Sequence, residues 1–100
     1  MIAEIRLPLT DLQGRVLDHI YDYIQRRLYP PTVKEIQQFL SISNPGTVYK
    51  VLSALAKKGY IKKQKHVARG IRLTPLGEEV CSQNRQLQLE LKESRTSINP

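Results

Sequence analysis

Cysteine is nearly missing from this 100-residue chain. Cys81 stands alone, so no disulfide can form within the chain and no cysteine-rich metal site can be assembled. Its expected place is half-buried on a helix, as a small apolar side chain. Long apolar runs are missing too: the longest are only a few residues, where a membrane span needs about 18 or more. Residues 1–9 lack the apolar stretch and small-residue cleavage site of a secretory signal. These absences predict a soluble cytoplasmic protein with no membrane partner. Paired carboxylates, a nucleophile beside a base, a phosphate-cradling glycine loop and a metal cluster are all absent as patterns, which argues against catalysis and against a cofactor. His19 and His66 have no second ligand at metal-binding spacing, so each is expected to be a solvated or capping histidine. The longest gap is in acidic residues, none of which occurs from Ile36 to Gly77.

What is present is a basic chain with enough apolar side chains for one core. Lys and Arg number 16 against 9 Asp and Glu, a formal net charge of +7, and 40% of residues are apolar. That composition allows a single domain plus a tail and favours a polyanionic partner. Helical periodicity begins after Thr10, whose spacing to Gln13 is that of a capping box, and carries Leu12, Val16, Ile20, Tyr23, Ile24 and Leu28 on one face. Pro30 and Pro31 end that helix. Thr32 and Glu35 form a second capping box, opening a helix of about two turns with Val33, Ile36, Phe39 and Leu40 on one side. Ser41, Ile42 and Ser43 make a tight connection in which Ile42 can turn inward.

The third helix has clear limits. Asn44 suits the N-cap, Pro45 the first helical position, and Gly59 the left-handed C-terminal cap. Val48, Val51, Leu52, Leu55 and Ala56 share one face, Gly46, Thr47, Lys50, Ser53, Ala54 and Lys57 the other, with Tyr49 at the border. Beyond it, Tyr60 and Ile61 begin one strand and residues 70–73 form another, with Ile71 and Leu73 alternating inward. The turn lies between Gln64 and Arg69, without the Asn-Gly or Asp-Gly pair of the tightest hairpins. Thr74 and Pro75 launch a last helix with Leu76, Val80, Leu87 and Leu91 at near-heptad spacing. Residues 94–100 read as a flexible tail.

The pattern predicts a mostly α fold with a small β-hairpin: a winged helix-turn-helix over residues 8–74, with a three-helix core and a two-stranded wing, followed by a C-terminal helix over residues 75–93. In a helix-turn-helix the second helix of the pair enters the DNA major groove. Lys50, Lys57, Lys58, Lys62, Lys63, Lys65, Arg69 and Arg72 all fall within the acid-free block, where neutralised phosphates would supply salt-dependent affinity. Double-stranded RNA is a weaker candidate partner, because its deep, narrow major groove does not admit a helix.

Several residues also resemble the N-terminal DNA-binding domain of LexA-type repressors. They are Pro30, Pro31 and Thr32 before the second helix, Glu35 and Ile36 within it, Pro45 opening the third, the run from Leu52 to Gly59 with Ile61 two residues on, and Arg69-Gly70-Ile71-Arg72-Leu73 closing the hairpin. The resemblance covers about residues 8–73. It implies base reading from the start of the third helix, at the positions of Asn44, Gly46, Val48, Tyr49 and Lys50, and dimers that repress transcription. Val48 projects inward and is left in the core. The family's usual Ser-Pro-Asn opening is replaced by Asn44-Pro45-Gly46, and the acidic pair that follows by Tyr49-Lys50, so the family's operator is not carried over.

Lys50 can donate to guanine O6 or N7, and the Thr47 methyl can meet a thymine methyl. Base contact, phosphate contact and solvation stay open for Lys50, and capping alone stays open for Asn44. The recognition surface is therefore Asn44, Gly46, Thr47, Tyr49, Lys50 and Ser53. Thr32, Lys57, Lys62, Lys63, Lys65, His66 and Arg69 are assigned to the wing and DNA backbone, with Arg69 the candidate for minor-groove insertion. LexA-type repressors carry a second, self-cleaving domain, which is not expected here from the few residues that follow the wing. The stripe of Leu76, Val80, Leu87 and Leu91 is expected to supply the homodimer contact, although its first part could equally pack on its own core.

The expected function is a transcription regulator, a repressor on a palindromic operator, of a bacterial or phage type and associated with the nucleoid. No small-molecule effector is evident. The alternatives are a winged-helix protein-interaction module and a DNA-binding accessory factor of a replication or mobile-element system.

Overall fold

Side-chain hydrogen bonds to the backbone set each helix start in the computed structural model, which describes residues 9–83. Helix α1 spans Asp11–Arg27. Thr10 Oγ1 accepts from the Gln13 N–H at 3.1 Å, and Gln13 Oε1 accepts from the Thr10 N–H at 3.2 Å, which satisfies two donors that a helix start leaves without partners. The helix stops where Leu28 turns left-handed at φ 66° and its N–H bonds to the Ile24 carbonyl at 2.8 Å. Leu28, expected on the core stripe, is 86% exposed because that cap swings it outward.

Helix α2 spans Val33–Phe39 and α3 spans Pro45–Lys57. Between them Ser41 adopts φ 55°, and Ile42 turns inward to pack against the core, its N–H held by the Gln37 carbonyl at 2.9 Å. Asn44 caps α3, Pro45 occupies its first turn, and Gly59 follows at φ 88°, a conformation that costs a residue without Cβ little. The chain then enters β1, Ile61–Lys63, and returns antiparallel as β2, Ile71–Leu73, with Ile61 opposite Leu73 and Lys63 opposite Ile71. The Gln64 N–H donates to the Gly70 carbonyl at 2.9 Å, closing the hairpin around residues 65–69.

Helix α4 begins at residue 75 and is described to residue 83. Thr74 Oγ1 accepts from the Gly77 N–H at 3.1 Å and donates to the Gly59 carbonyl, tying the new helix to the end of α3. Gly77 permits that approach, since a Cβ there would collide with the Tyr60 carbonyl.

The core gathers Val16, Leu17 and Ile20 of α1, Ile36 of α2, and Val48, Val51, Leu52 and Leu55 of α3, closed by Tyr60, Ile61, Ile71 and Cys81. This is a winged helix-turn-helix: a three-helix core, a two-stranded wing and a following helix. Two further placements differ from expectation, those of Cys81 and Phe39. Cys81 is fully buried rather than half-buried. Leu76 and Val80, for which a dimer contact and packing on the chain's own core were both open, are half-buried against that core; Leu87 and Leu91 lie outside the described residues, as does the tail. Phe39, placed on the apolar side of α2, is 68% exposed and stacks on His19 at 4.1 Å between ring centroids.

Candidate nucleic-acid interface

Burying one face of α3 dictates what the other presents. With Val48, Val51, Leu52 and Leu55 in the core, Asn44, Pro45, Gly46, Tyr49, Lys50, Ser53 and Lys57 are exposed, and Thr47 and Ala54 half-buried. Small residues dominate that face, so its backbone can come close to another surface. Asn44 Oδ1 accepts from the Gly46 N–H at 2.8 Å; the oxygen is committed to capping, and the amide nitrogen is the group it can offer outward.

The wing extends this surface. Residues 62–69 are all exposed, and Lys63 reaches back so that its Nζ stands 5.6 Å from the centre of the Tyr49 ring, a cation–π contact that joins wing to helix. A groove of about 540 Å³ lies between them, lined by Thr32 and Val33 at the start of α2, Tyr49 of α3, and Lys63, Lys65 and His66 of the wing. Among the described residues, no carboxylate pairs with Lys50, Lys57, Lys62, Lys63 or Lys65. Their charges sum into a positive field over α3 and the wing. Lys58 differs: its Nζ donates to Gln13 Oε1 at 2.7 Å.

Arg69, expected to reach DNA from the wing, has its guanidinium engaged within the chain. Its guanidinium donates to both Glu35 oxygens, at 2.9 and 3.0 Å, and to the Pro30 carbonyl at 2.8 Å, while its plane lies 4.7 Å from the Tyr29 ring centre. The Arg69 hydrogen bonds first, and the Thr32 backbone N–H next, hold Glu35 down at about 2, and the same pairing raises Arg69. Minor-groove insertion would require giving up these contacts. Sequence reasoning assigned Glu35 only its cap. The signal available was that it is the one carboxylate between Asp22 and Glu78.

His19 corrects a second expectation. Rather than solvated, it is buried between Phe39 and Tyr23, whose ring meets it edge-on at 5.8 Å. Its Nε2 has no hydrogen-bond partner. Desolvation lowers its pKa, with Asp22 and then Glu35 partly opposing. His66 is exposed on the wing at φ 62°. Among the described residues no group of three His, Cys, Asp or Glu side chains could hold a metal ion, and no helix is long and apolar enough to cross a membrane.

Comparison with known proteins points the same way as the geometry. The family described as "LexA DNA binding domain" matches residues 6–70. The LexA repressor of Lactiplantibacillus plantarum is 43% identical over 67 residues, which are 67% of this chain and 32% of the relative. That of Lactobacillus johnsonii is 40% identical over 72 residues, 72% of this chain and 35% of the relative. LexA repressor 2 of Geobacter sulfurreducens is 42% identical over 66 residues, 66% of this chain and 32% of the relative. The chain thus spans about a third of the length of the curated relatives it matches.

Proposed function

This chain belongs to the LexA DNA-binding domain family, and on that premise we propose that it is a sequence-specific binder of double-stranded DNA that represses transcription, acting as a homodimer on a palindromic operator. The observation that carries the reading is the continuous face of α3 and the wing, positively charged, lacking carboxylates and joined through Tyr49 and Lys63.

In this reading α3 lies in the major groove with its first turns against the base edges. Lys50 donates to guanine O6 or N7, the Asn44 amide donates to a base or phosphate acceptor, and the Thr47 methyl meets a thymine methyl. Gly46 and Ser53 let the helix approach. Lys57, Lys62, Lys63, Lys65 and His66 track phosphates, with Thr32 at the flank of the backbone path. The DNA-binding unit runs over residues 8–74, no catalytic step is assigned to it, and its place of action is the cytoplasm, where the DNA is. Dimerisation follows from half-site logic: a two-fold operator asks for a two-fold protein. Leu76 and Val80 rest one side on this chain's core and stay half-exposed on the other, and that outer side is the start of the pairing stripe that Leu87 and Leu91 continue.

The test is selection of duplexes from a random pool, followed by titration of the selected and a scrambled duplex at two salt concentrations. Supporting the reading would be a palindromic consensus bound about a thousandfold more tightly than the scrambled sequence, with the preference relaxed in Lys50→Ala. Equal, weak binding of both duplexes would contradict it and leave a protein-interaction or accessory role as the better account.

A further inference from the structure

The two capping boxes differ by one functional group. Both place a Thr at the N-cap and a side-chain oxygen three residues on, at 3.2 Å from the Thr10 N–H in α1 and 2.9 Å from the Thr32 N–H in α2. The first uses Gln13, the second Glu35. An amide therefore suffices for the cap in this very protein, as it does generally, and the charge at residue 35 needs another reason. It also stands where charge is unfavourable for a DNA binder, as the one carboxylate between residues 22 and 78.

The wing supplies the reason. It consists of two strands of three residues, and an isolated hairpin of that size is marginal. Ile61 and Ile71 bury its base in the core, whereas residues 62–69 are exposed. Arg69, on the returning side of the turn, fastens this outer part. It holds Glu35 with two parallel hydrogen bonds, the strong and directional form of this ion pair, bonds to Pro30 and lies over Tyr29. Tyr23 of α1 completes the arrangement by donating its hydroxyl to Glu35 Oε1 at 3.0 Å.

We propose that Glu35, Tyr23 and Arg69 form a clamp of positioning residues that holds the wing in the attitude DNA binding needs, with the Arg69 guanidinium engaged on Glu35 rather than on DNA. The proposal rests on the DNA-binding reading above. It makes an unusual demand: removing a negative charge near the DNA-facing surface should weaken binding, whereas simple electrostatics would have it strengthen binding.

The experiment is a double-mutant cycle of Glu35→Gln, Arg69→Gln and the pair, in the full chain, read as affinity for the duplex selected by the unaltered protein. Amide hydrogen exchange of the unbound protein is measured alongside at Gln64, whose N–H bonds across the wing to Gly70. Glu35→Gln keeps the cap that Gln13 makes in α1, and its thermal melt reports whether the fold is kept. The clamp predicts that each single variant loses about tenfold in affinity, that the pair is no worse than the singles, and that Gln64 exchanges faster in all three. Binding by Glu35→Gln as tight as or tighter than the unaltered chain, with loss confined to Arg69→Gln, would overturn it and make Arg69 a direct phosphate ligand. If the unaltered chain selects no duplex, the DNA-binding reading fails instead. The exchange measurement then still decides the tether: unchanged protection at Gln64 in Glu35→Gln would show that the ion pair does not hold the wing.

Discussion

The α1–α2 flank and the α3–wing face of this protein use their cations in opposite ways. On the flank, Arg27 lies over Tyr23 at 4.8 Å, and Arg69, reaching across from the wing, lies over Tyr29 at 4.7 Å while gripping Glu35. On the face, Lys50, Lys57, Lys62 and Lys65 point into solvent with no carboxylate among the described residues to answer them. A planar guanidinium stacks and forks, and so can fix one element to another; an ammonium on a flexible stem is a hydrated point charge suited to a moving partner. The division separates charge that holds the fold from charge kept for a ligand.

The strongest way to break the comparison is to remove the core that both regions share. Leu52 is fully buried, and Leu52→Ala should cost about 2–5 kcal/mol, which in a domain of this size lowers Tm by about 10 °C or more. A calorimetric melt checks it. Less drastic, and more pointed, is the pair Lys50→Ala and Arg26→Ala. The first should weaken selected-duplex binding by about 1–3 kcal/mol with Tm unchanged; the second removes the same charge from the flank and should lose much less. Equal losses would mean that only net charge matters.

Caps come next. Thr10→Ala removes the α1 capping box and should destabilise by about 1 kcal/mol, visible in chemical denaturation, and leave the salt dependence of DNA binding as it was. Single changes in the wing belong to a smaller scale. Lys62→Ala or Lys65→Ala should each lower the slope of log K against log salt by about one unit without altering sequence preference.

Acid distinguishes the regions most finely. His19 is buried and its pKa lowered below 6.5, so the unfolded chain takes up a proton more readily, and stability should decline as pH falls below 6.5. His19→Leu should flatten that decline in urea titrations at successive pH values. Glu35 acts lower: its ionised form stabilises the fold fully above its ordinary value of 4.5, and that contribution is lost as pH falls through about 2. Glu35→Gln should therefore differ from the unaltered chain near neutrality and converge with it in strong acid.

Local chemistry was legible in the sequence. Thr10, Thr32, Asn44 with Pro45, and Gly59 each act on backbone groups within a few residues, and the helices begin and end where those residues require. The alternation of the wing and the buried face of α3 followed from periodicity. What could not be read from the sequence depended on packing between elements. His19 is buried where α2 brings Phe39 across it, with Tyr23 at its edge. Arg69 and Glu35 lie 34 residues apart, and composition records both as charges without showing that they meet. A stripe such as Leu76 and Val80 reads the same whether it faces a partner or its own core, and here one side packs on the core while both residues stay half-exposed.

The most direct test of the central claim is backbone amide chemical-shift mapping by NMR as a duplex selected by the chain is added. The account predicts that the largest shifts fall on residues 44–57 and 62–69, with the solvent-facing side of α1 nearly unchanged. Shifts concentrated around Arg26, Arg27 and Phe39, with α3 silent, would contradict it.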